Sequence, residues 1–159
     1  MPGRILCEIG QTKPFGTMQE EAVLNVIRTA DAIGRSFDTL FKTYGLTRTQ
    51  YNVLRILRGA GEKGACCSQI GDRLITAEPD VTRLLDRLER RGWIQRRRDA
   101  EDRRSVTTRI TASGLKLLAS LDEPVQQLNC RPFDLLGDAD IQRLIAQLEK
   151  VRESLHSST

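Results

Sequence analysis

The stretch from Ile75 to Arg109 limits the folds open to this chain more than any other part of the sequence. It reads ITAEPDVTRLLDRLERRGWIQRRRDAEDRRSVTTR. Apolar residues recur at helical spacing as far as Gly92, and two alternating segments follow, separated by a polar stretch. This order predicts a helix that ends at Gly92, then two antiparallel strands, residues 93–98 and 106–110, joined by a charged tip.

The same stretch carries the net charge of the chain. Between Arg83 and Arg104 there are nine arginines and five acidic residues, a net charge of +4, and the formal net charge of the whole chain is also +4. A basic surface this concentrated is typical of proteins that contact nucleic-acid phosphates. Charge alone would equally allow an anionic membrane as the partner.

Length and composition indicate a soluble globular protein. The chain has 159 residues, of which 39% are apolar and 29% charged, which suits one compact domain or a small domain with a helical extension. No run approaches 18 apolar residues, and the N-terminus lacks the apolar core of a signal peptide. We therefore expect a cytoplasmic protein without a membrane partner.

The residues that usually carry catalysis or bind metals are sparse. The four cysteines, at positions 7, 66, 67 and 130, include no C-x-x-C pair, and His156 is the single histidine. No pairing of a nucleophile with a base is visible. The sequence predicts no enzyme, no metal site and no cofactor, and it predicts that the cysteines are buried or idle thiols.

The first 64 residues predict two helices. Prolines and glycines make a regular helix unexpected in residues 1–16. A capping box, Thr17 with Glu20, begins a long helix that Gly45 ends. Its apolar stripe is longer than a small DNA-binding domain needs for its own core. Part of it should therefore pack against another chain or against the C-terminal helices. Thr47 and Gln50 form a second capping box, and the helix that they begin ends within residues 59–64.

Two short segments precede the basic helix. Residues 65–67 are predicted as a short edge strand, and Ser68 as the cap of a helix over residues 69–74. The basic helix should begin near Pro79, because proline is favoured in a first helical turn. A short helix, a turn and an arginine-bearing helix form a helix-turn-helix, and a hairpin directly after it makes a winged helix.

The C-terminal third predicts two helices. Thr111 should cap the first, which Pro124 should kink or break, and Asp138 or Asp140 should begin the second. Their leucines, together with the long first helix, are predicted to form a dimer interface. The alternative is a core within one chain, and both roles can hold together.

Four motifs resemble those of the MarR family (multiple-antibiotic-resistance type) of transcriptional regulators. They are GLTRTQYNVLRIL at 45–57, PDVTRLLDRLERRGWIQRRRD at 79–99, DRR at 102–104 and ITASG at 110–114. The resemblance implies a mainly α fold with a winged-helix head, residues 45–111, between dimerisation segments 1–44 and 112–159. It also implies a homodimer that represses, or less often activates, at pseudo-palindromic promoter sites and is commonly released by a small ligand or by oxidation.

The resemblance and the chemistry of the bases together give the predicted DNA contacts on the helix-turn-helix. Arg83 suits a bidentate contact with guanine in the major groove, and Thr82 and Asp80 are shorter readers. Asp80 and Glu78 also suit the helix start, so one of them can serve only as a cap. Contacts with phosphate are predicted for Arg87 and Arg90. Ser68, on the preceding short helix, belongs to the same DNA-contacting set.

The hairpin tip is the second predicted contact. The family pattern implies that Arg104 enters the minor groove while Asp102 orients it, with Arg103 as neighbour or substitute. The alternative is a solvated surface on which the arginines pair with nearby acidic residues. Arg96, Arg97 and Arg98 remain open, because alternation along a strand must turn some of them away from DNA.

The sequence says least about which effector the protein binds and where. The resemblance implies a small-ligand pocket between the head and the dimerisation helices, for which Phe37, Tyr44 and Tyr51 are candidates, although core packing explains them better. A redox role for Cys7 is a weaker alternative, since this residue precedes the first capping box by ten positions. Cys66 and Cys67 together could bind a thiophilic ion. A winged-helix module for protein interaction is the alternative function.

Overall fold

The computed structural model describes residues 4–98 and 106–156. Seven α-helices and one two-stranded antiparallel sheet make up the described part, which confirms the predicted mainly α fold with a small hairpin. The helices are α1 (Arg4–Glu8), α2 (Met18–Thr43), α3 (Arg48–Ala60), α4 (Cys67–Asp72), α5 (Val81–Arg90), α6 (Ala112–Cys130) and α7 (Asp138–His156), and the strands are β1 (Ile94–Arg98) and β2 (Val106–Ile110). Short 3₁₀ turns occupy Gly61–Lys63 and Arg131–Phe133.

The chain divides into two compact units. The first covers Met1–Ser120 and contains α1 to α5, the hairpin and the start of α6. The second covers Leu121–Thr159 and contains the rest of α6 with α7. The predicted boundaries at residues 44 and 111 stay predictions.

Local signals fix the starts of α2 and α3. The hydroxyl of Thr17 accepts from the Glu20 amide at 3.1 Å, as predicted, but the Glu20 carboxylate accepts from the amide of Gly16 rather than from that of Thr17. At α3 the capping box is complete, because Thr47 and Gln50 exchange two hydrogen bonds of 3.0 and 3.2 Å. Gly45, at φ 66°, takes the left-handed conformation that ends α2.

The core of the first unit forms where α3, α4 and α5 meet the hairpin. Its largest fully buried side chains include Leu54, Leu57, Ile70, Leu85, Leu88 and Ile94. The buried side of α3 is made by Tyr51, Val53, Leu54, Ile56 and Leu57. This packing sets the orientation of α5, since its leucines lie on the same core as the hairpin.

The hairpin has a simple register. Ile94 pairs with Ile110, and the ladder continues to Arg98 opposite Val106. Ala65 adds an isolated antiparallel bridge to Thr108, with two hydrogen bonds of 2.9 Å. The predicted edge strand over residues 65–67 is therefore wrong beyond Ala65, because Cys66 and Cys67 already begin α4.

Two helix starts differ from the prediction. Ser68 does not cap α4: Cys66 is the N-cap, its sulfur accepts from the Gln69 amide, and the side-chain oxygen of Gln69 accepts from the Cys66 amide at 3.0 Å. α5 begins at Val81 with Asp80 as its N-cap, so Pro79 precedes the cap instead of lying in the first turn. In both cases a neighbouring side chain bonded the free amides of the first turn better than the residue favoured by propensity.

One further prediction about helices is wrong, and another is wrong in part. Residues 4–8 form α1, despite the surrounding prolines and glycines, and its Ile5 is only 3% exposed. Burial of this side chain supplies the stabilisation that a five-residue helix lacks by itself. Pro124 lies inside α6, which continues from Ala112 to Cys130, so the predicted break is wrong, while the kink that the sequence also allowed stays a prediction.

Candidate nucleic-acid interface

Helix α5 has one buried side and one basic side. Leu84, Leu85 and Leu88 are 6%, 2% and 0% exposed. Arg83, Arg87 and Arg90, spaced by four and three residues, are all exposed and share one side of the helix. The leucines therefore fix which way the three guanidinium groups face, and the predicted contact residues stand together.

Asp80 organises the start of α5. Its carboxylate accepts from the Arg83 amide at 2.9 Å, and its second oxygen lies 3.9 Å from the Arg83 Nε. One carboxylate thus caps the helix and stands beside the predicted guanine-reading side chain. The capping role that the sequence left open for Asp80 is present, and base contact by Asp80 stays a prediction.

Helices α4 and α5 meet through small side chains. The Cys67 sulfur lies 3.8 Å from the hydroxyl of Thr82, and the Cys66 sulfur lies 3.1 Å from the hydroxyl of Ser68. Ser68 and Thr82 are both exposed, and the hydroxyl of each makes one of these two contacts. The hydrogen bond with Ser68 lowers the pKa of the Cys66 thiol below its ordinary value, with smaller backbone contributions in the same direction.

Arg96 links the hairpin to α5. Its side chain, 24% exposed, donates to Glu89 from Nε at 2.8 Å and from Nη2 at 2.7 Å, and Nη2 also bonds to Asp86. The Arg96 amide donates to the same Glu89 carboxylate at 2.9 Å. Sequence reasoning left Arg96 open as a DNA contact, whereas its side chain is committed to two acids of α5. These residues, Arg96, Glu89 and Asp86, are called the α5–hairpin clamp below.

The hydrogen bonds of the clamp change the pKa values of Glu89 and Arg96. The hydrogen bond from Arg96 lowers the pKa of Glu89, and the same bond raises the pKa of Arg96. A carboxyl whose pKa is lower in the folded state stabilises the fold above its unfolded-state pKa, and this stabilisation is lost as the pH falls through the folded-state value.

We therefore expect Glu89→Gln to change the acid sensitivity of the fold. Between roughly pH 7 and about pH 3 the melting temperature of the natural protein should fall more steeply than that of the variant, because only the former protonates Glu89. Thermal melts followed by circular dichroism measure both. Glu149→Gln, on the exposed side of α7, is the matched control and should keep the steeper slope. If melting temperature fell equally steeply with pH for Glu89→Gln and the natural protein, the ionised Glu89 would not stabilise the fold through the clamp.

Arg91 anchors the other end of α5. Its Nη1 donates to the Gly45 carbonyl at 2.8 Å, and its guanidinium lies over the Trp93 ring, 5.0 Å from the ring centroid. A Cβ at Gly45 would stand 2.8 Å from the same Nη1. The turn between α2 and α3 therefore holds the C-terminal end of α5, an interaction between distant residues that periodicity does not reveal.

The remaining predicted residues divide into two groups. Arg97 and Arg98 on β1 are both exposed, and whether either contacts DNA stays open. Asp102, Arg103 and Arg104, the predicted minor-groove contacts, lie outside the described residues.

The aromatic and sulfur candidates for sensing have ordinary environments. Phe41 stacks on Tyr51 with ring centroids 4.4 Å apart, and Phe37 stacks on Phe41 at 5.8 Å. Core packing thus accounts for Phe37 and Tyr51, as favoured from the sequence, while Tyr44 is half-buried. The four thiols are free, but none is buried: Cys7 and Cys130 are exposed, and Cys66 and Cys67 are half-buried. The sequence predicted buried or idle thiols; the buried alternative is wrong for all four, and the idle alternative stays a prediction.

Two kinds of feature are absent from the described residues. Across residues 4–98 and 106–156, His, Cys, Asp and Glu side chains form no group of three that could hold a metal ion. Within the same ranges, no helix has the length and apolar character needed to cross a membrane.

Known proteins similar to this chain share one family. The MarR family model matches residues 46–106. The regulator PecS of Dickeya dadantii is 32% identical over 127 residues, which cover 77% of this chain and 76% of PecS. The crystal structure of a MarR transcription factor from Planctomyces limnophilus is 41% identical, with a TM-score of 0.67 over 85% of this chain and 98% of that one. A structure of Bordetella bronchiseptica BpsR, described as regulated in DNA binding by 6-hydroxynicotinic acid, has 21% identity and a TM-score of 0.73 over 83% and 98% of the two chains.

Proposed function

Because the chain belongs to the MarR family of DNA-binding transcriptional regulators, we propose that it is a homodimeric repressor that reads a pseudo-palindromic site with α5. The observation that carries the proposal is the exposed row of Arg83, Arg87 and Arg90, held outward by the buried leucines of the same helix. A dimer offers two such helices, and two-fold symmetry in the protein matches two-fold symmetry in the DNA.

The side chains of α5 divide the work of recognition. Arg83 near the helix start contacts guanine, with Thr82 and Ser68 beside it, because the first turn of a recognition helix reaches deepest into the major groove. Arg87 and Arg90, further along, contact phosphates and set the register. Asp80 holds Arg83 in place, and its helix-capping bond reduces its availability for a base. The hairpin tip supplies the second contact, through Arg104 with Asp102 and Arg103.

Exposed apolar side chains support the dimer. On α2 the fractions exposed are 56% for Val23, 47% for Val26 and 60% for Ile27. On α7 they are 52% for Ile145, 53% for Val151 and 66% for Leu155. Apolar stripes of this kind on helices are typical of surfaces that a second chain covers. Association through α2 and the C-terminal helices would set the distance between the two reading helices.

Repression follows from occupancy of a promoter, and a small effector would relieve it. BpsR, whose fold this chain shares, is described as regulated by 6-hydroxynicotinic acid, which supports ligand control without identifying the ligand here. A ligand needs only a difference in affinity between the DNA-competent form and another form. We place this activity in the cytoplasm, where the DNA is, and assign the chain no catalysis.

The salt dependence of DNA binding tests this function. A duplex enriched from a random-sequence library by the purified protein would be labelled, and its affinity measured by fluorescence anisotropy. If Arg87 and Arg90 contact phosphate in both halves of a dimer, about four phosphates are neutralised, and affinity should fall at least about 100-fold between roughly 50 and 200 mM salt. A flat response, or no enrichment of any duplex, would instead favour a protein-interaction module.

A further inference from the structure

The connection between α4 and α5 carries an exposed apolar side chain. This connection, residues 73–80, is called the α4–α5 turn below. Ile75 within it is 88% exposed, and among residues 28–98, all of which the structure describes, it is the single large apolar side chain left exposed. The next two residues, Thr76 and Ala77, are exposed as well. Three adjacent exposed side chains thus carry methyl groups and no charge, at the start of the most basic stretch of the chain.

The backbone at Ile75 is held in place by the helices on either side. The Ile75 amide donates to the side-chain oxygen of Asn52 on α3 at 3.0 Å, and the Leu74 amide donates to the Gly71 carbonyl at 3.2 Å. Asn52 is half-buried and lies beside the buried side of α3. A side chain on a backbone that is already fixed loses less conformational freedom on binding than one on a free loop. Ile75 is therefore presented to solvent in a preformed position.

The α4–α5 turn leads into the end of α5 that carries the proposed base contacts. It ends at Asp80, which caps α5, and Thr82 and Arg83 follow in the first helical turn. In helix-turn-helix proteins the N-terminal residues of the recognition helix contact the base edges. The segment directly before that helix therefore approaches the same groove. This step rests on the proposed function, in which α5 is the recognition helix.

An apolar side chain at this place has one matching group on DNA. Phosphates and sugars are contacted by charged side chains and by hydrogen-bond donors, and an isoleucine side chain supplies neither. The major groove exposes nitrogen and oxygen atoms of the bases and one apolar group, the C5-methyl of thymine. Contact with this methyl removes apolar surface of both molecules from water. We propose that Ile75 contacts a thymine methyl in each half-site, with Thr76 and Ala77 beside it, and so selects thymine at that position.

The apolar side chains proposed for the dimer have a different arrangement. Val23, Val26 and Ile27 form a stripe on α2, and a stripe suits a second protein chain. Ile75 stands alone among the large apolar residues around it in the sequence, since its neighbour Leu74 is half-buried. One such side chain is too small for a protein interface, but its size matches a single methyl group.

Uracil in place of thymine tests the contact, because it removes the C5-methyl and keeps the base pairing. The duplex enriched by the natural protein is prepared with uracil at one thymine position at a time, in both half-sites together, and affinity is measured by fluorescence anisotropy. At one position, the loss of two methyl contacts should lower the affinity of the natural protein at least about 10-fold. If no position gave such a loss, the proposal would be overturned.

Ile75→Ser assigns the contact to this side chain. Its affinity for the thymine duplex should fall at least about 10-fold, and uracil at the critical position should change it by less than about 2-fold, because the methyl has lost its partner. The variant should keep the melting temperature of the natural protein, since an exposed side chain adds little to the core. Equal sensitivity of Ile75→Ser and the natural protein to uracil would overturn the assignment.

Leu135→Ser is the matched control for the loss of an exposed aliphatic side chain. Leu135 is 99% exposed and lies between α6 and α7, outside the helix-turn-helix. This variant should lose as much affinity as the natural protein does when uracil replaces the critical thymine. A control that lost its response to uracil would show that the effect is not specific to the α4–α5 turn, and would overturn the proposal.

Selection from a random-sequence library separates this inference from the proposed function. Duplexes enriched by the natural protein should share a thymine at one position of each half-site. Those enriched by Ile75→Ser should keep the guanine assigned to Arg83 and lose the preference for that thymine. A thymine preference kept in full by the variant would overturn the role of Ile75 and leave the proposed function standing. If the natural protein enriched no duplex at all, the proposed function itself would fail.

Discussion

Ile27→Glu is expected to make the protein monomeric and to lower its affinity for a duplex with two half-sites by at least about 100-fold. Ile27 is 60% exposed, and Val23, one turn earlier on α2, is 56% exposed. Exposure makes the substitution harmless to the fold of one chain. In a dimer that covers this stripe, a buried and unpaired carboxylate would cost several kcal/mol. Loss of the second half turns bivalent binding into monovalent binding, for which factors of about 10²–10⁴ are usual.

Sedimentation velocity and fluorescence anisotropy measure the two effects. Asn25→Glu is the matched control, because Asn25 is exposed on the same helix, two residues from both Val23 and Ile27 and so on the side opposite them. This variant should remain a dimer with nearly unchanged DNA affinity. A dimeric Ile27→Glu would exclude α2 from the interface. A monomeric variant that kept full affinity for the double site would exclude bivalent reading.

Sequence reasoning located the elements that local signals define. Thr47 with Gln50 and Gly45 with Gly92 mark helix ends through their own backbone chemistry, and the structure has α3, the end of α2 and the end of α5 where these residues predict them. The leucine period gave the buried side of α5, and hence the exposed arginine row. These predictions succeeded because each depends on residues within about four positions of one another.

Elements that depend on distant residues were missed. α1 exists because Ile5 is buried. A helix of five residues is too short to show the periodic apolar pattern that predicts longer helices. Cys66 displaced Ser68 as the α4 cap, although Cys66 and Gln69 have the same spacing as Thr47 and Gln50; serine was preferred because oxygen is the usual capping atom. The bridge from Ala65 to Thr108 joins residues far apart in the sequence, which only the folded chain brings together.

The clamp changes how the basic stretch should be understood. Counted by charge, its nine arginines are equivalent. In the structure, Arg96 is bonded to Glu89 and Asp86, and Arg91 to Gly45. These two arginines orient α5, whereas Arg83, Arg87 and Arg90 are exposed on it. The count of nine arginines therefore overstates the number of side chains available to DNA.

Arg83→Ala should have the larger effect among substitutions on α5 itself. A bidentate contact with guanine is worth about 1–3 kcal/mol of discrimination, and a dimer makes two of them. Affinity for the selected duplex should therefore fall at least about 30-fold. Affinity for a duplex of scrambled sequence should fall much less, since the variant gives up only a general attraction to phosphate there.

Arg90→Ala distinguishes recognition of the bases from a general attraction to phosphate. It removes the same charge from the same side of α5, but at the end of the helix, where an interaction with phosphate is proposed. Its affinity should fall by a similar factor for the selected and the scrambled duplex, and the slope of log affinity against log salt should become shallower by about one for each phosphate that is no longer neutralised. Both variants keep Leu84, Leu85 and Leu88, which hold the helix in place, so equal melting temperatures should accompany the different DNA profiles. If Arg83→Ala also weakened both duplexes equally, Arg83 would bind phosphate, and sequence recognition would have to lie with Thr82, Ser68 or the hairpin tip.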